Sequence, residues 1–204
     1  MIIAGTGHRP DKIAGYDNPA ADQLMLDLLV KWIEVREPKK IISGGALGFD
    51  QALATAAMLC KVPYVIAVPC RNHECKWSKE DQAHYMDLLS EAADIVVVSD
   101  KPYFKECMQI RNEWMIDHCD RVLSLFNGSK GGTYNCLQYA KKQGKGIFNL
   151  WMMWTEANAK ALAGELFPTD NQNLADKLIK SGEVKRVLNP EPELTLDGEE
   201  ELKL

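Results

Sequence analysis

Three glycine-bearing stretches hold most of the residues whose types and spacing suit chemistry: Gly5-Thr6-Gly7-His8-Arg9-Pro10, Ser43-Gly44-Gly45-Ala46-Leu47-Gly48-Phe49-Asp50 and Gly128-Ser129-Lys130-Gly131-Gly132-Thr133. Glycine has no Cβ and accepts positive φ, so backbone N–H groups in such loops can close on an anion. The second and third stretches also open helical patterns, whose N-terminal amides and dipole favour phosphate. Arg111 lies one turn from both Met108 and Met115, beside an apolar stripe. A partly buried arginine needs an anion, supplied by a ligand phosphate or by an internal carboxylate, and both sources stay open. The expected ligand site comprises Gly5, Thr6, Gly7, His8, Arg9, Ser43, Gly44, Gly45, Ala46, Gly48, Asp50, Arg111, Asn112, Gly131, Gly132 and Thr133. No stretch reads G-x-G-x-x-G or G-x-x-x-x-G-K-[ST], which argues against an ordinary dinucleotide fold and a P-loop ATPase.

Catalytic groups are fewer. Asp50 and Glu113 are the candidates, although Asp50 also suits a helix first turn and Glu113 with Asp117 forms an i, i+4 pair typical of a solvated face. Ser43, Ser129 and Thr133 have no evident base except His8, which suits a base or ribose hydrogen bond as well as a backbone one. Trp77 and Tyr103 suit stacking on a base or anchoring of loops. Cys70, His73 and Cys75 lack a fourth ligand and match no common zinc spacing, so no metal is expected and no cofactor is required.

The elements that position these groups alternate. Short apolar runs at 1–5, 40–43, 62–68, 94–98, 121–126 and 146–150 read as strands, and helical patterns occupy 18–36, the stretch up to Cys60, 78–92, 105–118 and 133–143. Strands nearly continuous in apolar character are buried on both faces. The pattern predicts an α/β fold, doubly wound, with a mostly parallel sheet and helices on both faces. Ligands of such sheets bind at the strands' carboxyl ends, where all three glycine loops fall. Residues 1–150 are expected as the ligand-binding domain, 151–189 as its helical extension (155–166 and 171–181) and 190–204 as a flexible acidic tail.

Apolar residues make up 46% and charged residues 26% of the 204, a globular mixture. Residues 190–204 carry six acids against Lys203, so they hold the whole net charge of −5. A neutral body with an acidic tail argues against general duplex nucleic-acid binding. Six cysteines without a signal-peptide pattern, and no run of ~20 apolar residues, predict a cytoplasmic protein without membrane attachment. Trp151-Met152-Met153-Trp154 cannot all face inward on one element, which predicts another segment or a second copy against them and hence a homodimer or larger assembly.

The three loops, taken in order with Trp77, Lys101-Pro102-Tyr103 and Gln109-Ile110-Arg111-Asn112-Glu113-Trp114-Met115-Ile116-Asp117, resemble the SLOG superfamily of Rossmann-like nucleotide-binding proteins, and within it the YpsA-like branch. The resemblance spans residues 1–150. It implies a Rossmann-like fold and a small-molecule nucleotide or nucleotide-derived ligand, such as an ADP-ribose-type signal, sensed or sequestered at the strand ends. It equally admits an N-glycosidase or transferase of the Lonely Guy type, or a DprA-like DNA-processing protein. Against the Lonely Guy motif PGGxGTxxE, Gly132-Thr133 match GT and Arg111 and Met115 stand where that family's helix has arginine and methionine. Asn112 replaces the lysine, the proline is absent, and Cys136 stands where the motif has its glutamate.

Overall fold

Six short runs rich in Ile, Val and Leu form one sheet. They are β1 (Ile2–Gly7), β2 (Lys40–Ser43), β3 (Tyr64–Val68), β4 (Asp94–Val97), β5 (Arg121–Leu125) and β6 (Gly146–Asn149). Every pairing is parallel and the order is β4-β3-β2-β1-β5-β6. The chain therefore steps outward from β1 to β4, then returns to lay β5 against the other side of β1. The two halves part between β1 and β5, where Gly5 pairs with Leu123 and Gly7 with Leu125. This is the doubly wound, Rossmann-like arrangement that the alternation predicts. The computed structural model describes residues 1–166, with side chains to residue 160.

The helices are α1 (Pro19–Arg36), α2 (Phe49–Leu59), α3 (Lys79–Glu91), α4 (Cys107–Asp117), α5 (Gly132–Lys142) and α6 (Trp151–Leu166). Asn18 caps α1 by accepting the Ala21 N–H at 3.2 Å, with Pro19 in the first turn; Ser78 caps α3 by accepting the Asp81 N–H at 3.0 Å. No side chain caps α2 or α5, which start after Gly48 and Gly131. Strand alternation sorts the core into two layers. Ala4, Ile42, Val65 and Ala67 meet Met115 and Ile116 of α4 and Cys136, Leu137 and Ala140 of α5. The opposite face, with Ile3, Ile41 and Ile66, is covered by α2, with α1 and α3 on its flanks.

Three differences from the sequence reading have local causes. β1 runs two residues further than expected, because Thr6 and Gly7 keep pairing with Ser124 and Leu125. A 3-10 turn follows at Pro10–Lys12, closed by the Ile13 N–H on the Pro10 carbonyl. The helix after β6 begins at Trp151 rather than 155, with Asn149 Oδ1 accepting the Trp151 N–H at 3.2 Å.

The first compact unit is Met1–Trp154, so it ends four residues beyond the expected limit. Within it Trp154 is 3% exposed and its ring lies 5.5 Å from that of Trp151, which meets His8 edge-on at 6.0 Å. Only Met152 of the four is largely exposed. The apolar cluster is thus mostly absorbed inside one unit. The second unit begins at Thr155; the helix expected at 171–181, most of the 151–189 extension and the 190–204 tail lie outside the described residues. No described helix is long and apolar enough to cross a membrane.

Gly5 and Gly7 earn their place through packing. A Cβ on Gly5 would run into Leu53 Cδ2, and one on Gly7 into Phe49 Cβ and Cγ. Both glycines let α2 seat directly on β1. Gly7→Ala is expected to lower unfolding stability by about 1–3 kcal/mol, the usual cost of overpacking. Because the clash is with Phe49, the Gly7→Ala/Phe49→Ala pair should be less destabilised than the sum of the singles; strict additivity in urea unfolding would refute this contact.

Candidate functional site

Arg111 is the most informative residue. It projects from α4 and is only 5% exposed. Its Nη1 donates to the carbonyl of Gly44, just past β2, and at 3.5 Å to that of Ala67 in β3, while Nε donates to Asn112 Oδ1 at 2.9 Å. A Cβ on Gly44 would overlap the guanidinium, so glycine is needed there for close approach rather than for a turn. The strand ends bring carbonyl oxygens together, and their partial negative charge suits a buried cation.

Asp50 shares the space. Its carboxyl is 6% exposed in the first turn of α2, within reach of Arg111 and hydrogen-bonded to the backbone at Ala46 and Gly7. Burial raises its pKa to about 6, against the opposing pull of Arg111, those two backbone bonds and Arg9. The group therefore titrates near 6, opposing the Arg111 charge above that pH and mostly neutral below it.

A cavity of about 320 Å³ opens above this pair at the β1–β5 divide. Thr6, Gly7, His8 and Arg9 form one side, Ala46 and Asp50 another, Arg111 and Asn112 the third, and Gly132 and Thr133, at the uncapped start of α5, the fourth. Asp11, Lys12 and Met108 also line it and were not expected. Thr133 Oγ1 donates to the Gly7 carbonyl at 2.9 Å, tying α5 to β1. Lys12 Nζ donates to Ser129 Oγ at 3.2 Å and to the Lys130 carbonyl at 3.3 Å, joining the first and third glycine loops. Only the fold reveals these bonds, since their partners lie 117 and 118 residues away.

His8 is 4% exposed, and burial lowers its pKa, so the ring is neutral at pH 7. Asn127 Oδ1, fixed by the Ser129 N–H at 2.9 Å, lies 2.7 Å from His8 Nε2, and the same nitrogen accepts the Asn127 backbone N–H at 3.1 Å. This nitrogen is spent on joining the β1 and β5 loops.

Several expected residues stand outside the cavity. Gly5 faces Leu53; Gly45 and Gly48, both at positive φ, meet Tyr85 and Pro10; and Gly131 nears Lys12 Nζ. Gly44 backs Arg111. Ser43 Oγ donates to the Asp50 carbonyl at 2.6 Å and accepts the Gly45 N–H at 3.1 Å, a purely internal role. Glu113 accepts Gln109 Nε2 at 2.9 Å and does not line the cavity. Trp77 packs edge-on with His73 and Tyr85 at 5.3 Å each, and Tyr103 is 65% exposed; neither lines the cavity. Cys70 is buried while Cys75 is exposed, and among the described residues no group of three or more His, Cys, Asp or Glu is arranged to hold a metal ion. Cys136 is wholly buried beneath β1, bonded to Thr6, and burial pushes its thiol up to about 12.

Residues 6–156 match the YspA SLOG family. An uncharacterized SPbeta prophage-derived protein, YoqJ, of Bacillus subtilis is 32% identical over 150 residues, covering 66% of this chain and 87% of that protein. A UPF0398 protein of Lactobacillus acidophilus is 29% identical over 119 residues, 53% of this chain and 63% of the relative. Among solved structures, DNA processing protein A of Helicobacter pylori, described for its single-stranded DNA binding mode, superposes with a TM-score of 0.53 at 20% identity over 73% of this chain and 64% of that one. DNA processing protein A of Streptococcus pneumoniae gives 0.54 at 15% identity over 72% and 49%. The chain spans less than two thirds of either, and the likeness establishes the fold.

Asp50 makes stability depend on pH. Its folded pKa, about 6, lies above the ordinary aspartate value of 3.8, so the folded state holds the proton more tightly. The stability it contributes is present below the unfolded pKa and is lost as pH rises from about 4 through about 6. Asp50→Asn mimics the protonated form and is expected to raise the melting temperature at pH 7.5 while changing it little at pH 4. Parallel melting curves for the two proteins across that range would show the carboxyl carries no such penalty.

Proposed function

The chain belongs to the YspA SLOG family, and on that premise we propose that the cavity between β1 and β5 binds a nucleotide or nucleotide-derived molecule by its phosphate. The observation that carries this reading is the meeting of Arg9, Lys12 and Arg111 with the uncapped start of α5 around one cavity at the sheet's topological divide. Backbone amides at a helix start bind phosphate oxygens directly, and two arginines supply planar donors with fixed charge. At about 320 Å³ the cavity suits a ribosyl phosphate, with the base extending outward. Asp50, an acceptor in the wall, faces the ribose hydroxyls. The protein acts as a sensor or sequestering protein for such a ligand, in the cytoplasm and as a homo-oligomer, and needs no further cofactor.

Asp50 also supports a second reading, cleavage of the N-glycosidic bond. A carboxyl titrating near 6 inside a cavity can orient water or stabilise oxocarbenium charge. Binding without turnover is preferred, because Cys136 stands where the related glycosidase motif has its glutamate and its thiol stays protonated.

Calorimetric titration with ADP-ribose, nucleoside monophosphates and NAD tests the first reading. Arg9→Ala and Lys12→Ala, at the cavity mouth, should each weaken the best ligand about 10-fold, the usual scale for a charge-assisted contact. Affinity should also fall as pH rises through about 6, as Asp50 becomes anionic, and Asp50→Asn should flatten that dependence. Unchanged affinity in both cationic variants would remove the site from this cavity. Release of free base that disappears in Asp50→Asn would establish the glycosidase reading instead.

A further inference from the structure

α2 is apolar almost all round. In Phe49–Leu59 the only charged residue is Asp50, and it is turned into the cavity wall. Helices of this kind occur where every face is covered. Here Phe49, Leu53, Ala54, Ala56 and Ala57 are buried, but Ala52 and Thr55 are half-buried, and Met58 and Leu59 are 36% and 56% exposed. From Ala52 to Leu59 this outer stripe is about 10 Å long at 1.5 Å per residue.

Its first half is the floor of a groove of about 870 Å³ that shares no lining residue with the phosphate cavity. α1 contributes Met25 and Leu26 to one wall, α3 and its cap Ser78 contribute the other with His84, and Ile13 and Tyr16 close one end. Gly48, Ala52 and Thr55, spaced four and three apart, keep the floor low enough for a second helix to approach closely. The charge is one-sided. Asp17, Asp22, Glu80 and Asp81 stand around the groove, no Lys or Arg lines it, and His84 points Nε2 at Thr55 Oγ1, 3.5 Å away. No cation among the described residues is ion-paired to any of the four acids. Burial, together with Asp17, also raises the Asp22 carboxyl above its ordinary range.

We propose that this groove receives an amphipathic, basic helix of a partner protein. Its apolar face covers Ala52 and Thr55, and its lysines or arginines neutralise Asp17, Asp22, Glu80 and Asp81. An inorganic cation would satisfy the carboxylates and leave the apolar floor bare. A nucleic acid would set phosphate against them. A second copy of this chain offers a body whose acids and bases balance, with no excess of positive charge to meet the four acids, whereas a basic helix meets both the floor and the rim.

Selection from a random 16-residue peptide library on the full-length protein, followed by fluorescence anisotropy on the best peptide, tests the proposal. Enriched peptides should carry Leu, Ile or Met at i, i+3 or i+4, and i+7, with Lys or Arg on the flanks. Asp22 and Glu80 are exposed first-turn acids, so Asp22→Lys/Glu80→Lys is checked for its fold by circular dichroism, with Asp22→Asn/Glu80→Gln as a milder second variant. It should weaken binding about tenfold at low salt, and changing the peptide's lysines to glutamates should restore it. Methyl NMR shifts should centre on Ala52, Met25 and Met58. Nucleotide titrations of the same variant should match the parent, which separates this groove from the phosphate cavity. The proposal fails if no peptide is enriched, if enriched peptides lack basic residues, or if binding ignores the charge reversal. It also fails if light scattering shows a dimer that Thr55→Arg converts to monomer, since a second copy would then cover α2.

Discussion

A guanidinium buried at the ends of two strands constrains everything around it. Arg111 enters from α4 and finds the carbonyls of Gly44 and Ala67 beside Asn112 Oδ1. Leaving such a charge unpaired in the interior would cost several kcal/mol. Position 44 must therefore lack a side chain, α4 must cross the sheet where it does, and Asp50 must sit close enough to share the field. Asp50 is buried enough to titrate near 6, so the negative charge that offsets Arg111 is lost as pH falls through that value. A site built this way is prepared for an anion.

The second constraint is the reversal of strand order at β1. Two loops from sequence-distant strands end side by side there, and each is held by bonds the other supplies. His8 reaches Asn127, Lys12 reaches Ser129 and Lys130, and Thr133 reaches back to Gly7. Behind them Asn149 serves β5, β6 and α6 together, accepting the Phe126 and Trp151 N–H groups and donating to the Phe126 carbonyl. These bonds span the divide and hold the cavity walls together. Preorganisation of this kind reduces the ordering cost of binding a small ligand.

The sheet's two faces divide the labour. α4 and α5 bring Arg111, Asn112 and Thr133 to the cavity, while α2 brings Asp50 and presses Phe49 onto Gly7. Cys136 belongs to the first layer, a small residue bonded to Thr6 at the core of the α5 contact. A glutamate there would need space and solvation that the packed layer does not offer, so its replacement changes the chemistry available beneath the ligand.

By itself the sequence determined the alternating fold and the loops at the strand ends. Apolar runs of four to six residues, broken by glycine and by caps such as Asn18 and Ser78, carry that information locally. It also marked Arg111 as a cation beside an apolar stripe. What it could not decide is which glycines face a ligand and which face a side chain. Gly5, Gly7 and Gly44 look alike as letters, but Leu53, Phe49 and Arg111 occupy the space each leaves. Lys12, Asp11 and Met108 gave no signal, because their place at the cavity depends on a 3-10 turn and on partners more than a hundred residues away. Glu113 stays outside the cavity for the same kind of reason: one helix carries it and Arg111, and only packing shows which of the two is buried at the strand ends. Local pattern selects elements, while the close approach of side chains from separate elements selects the site, and that approach exists only once the chain has folded.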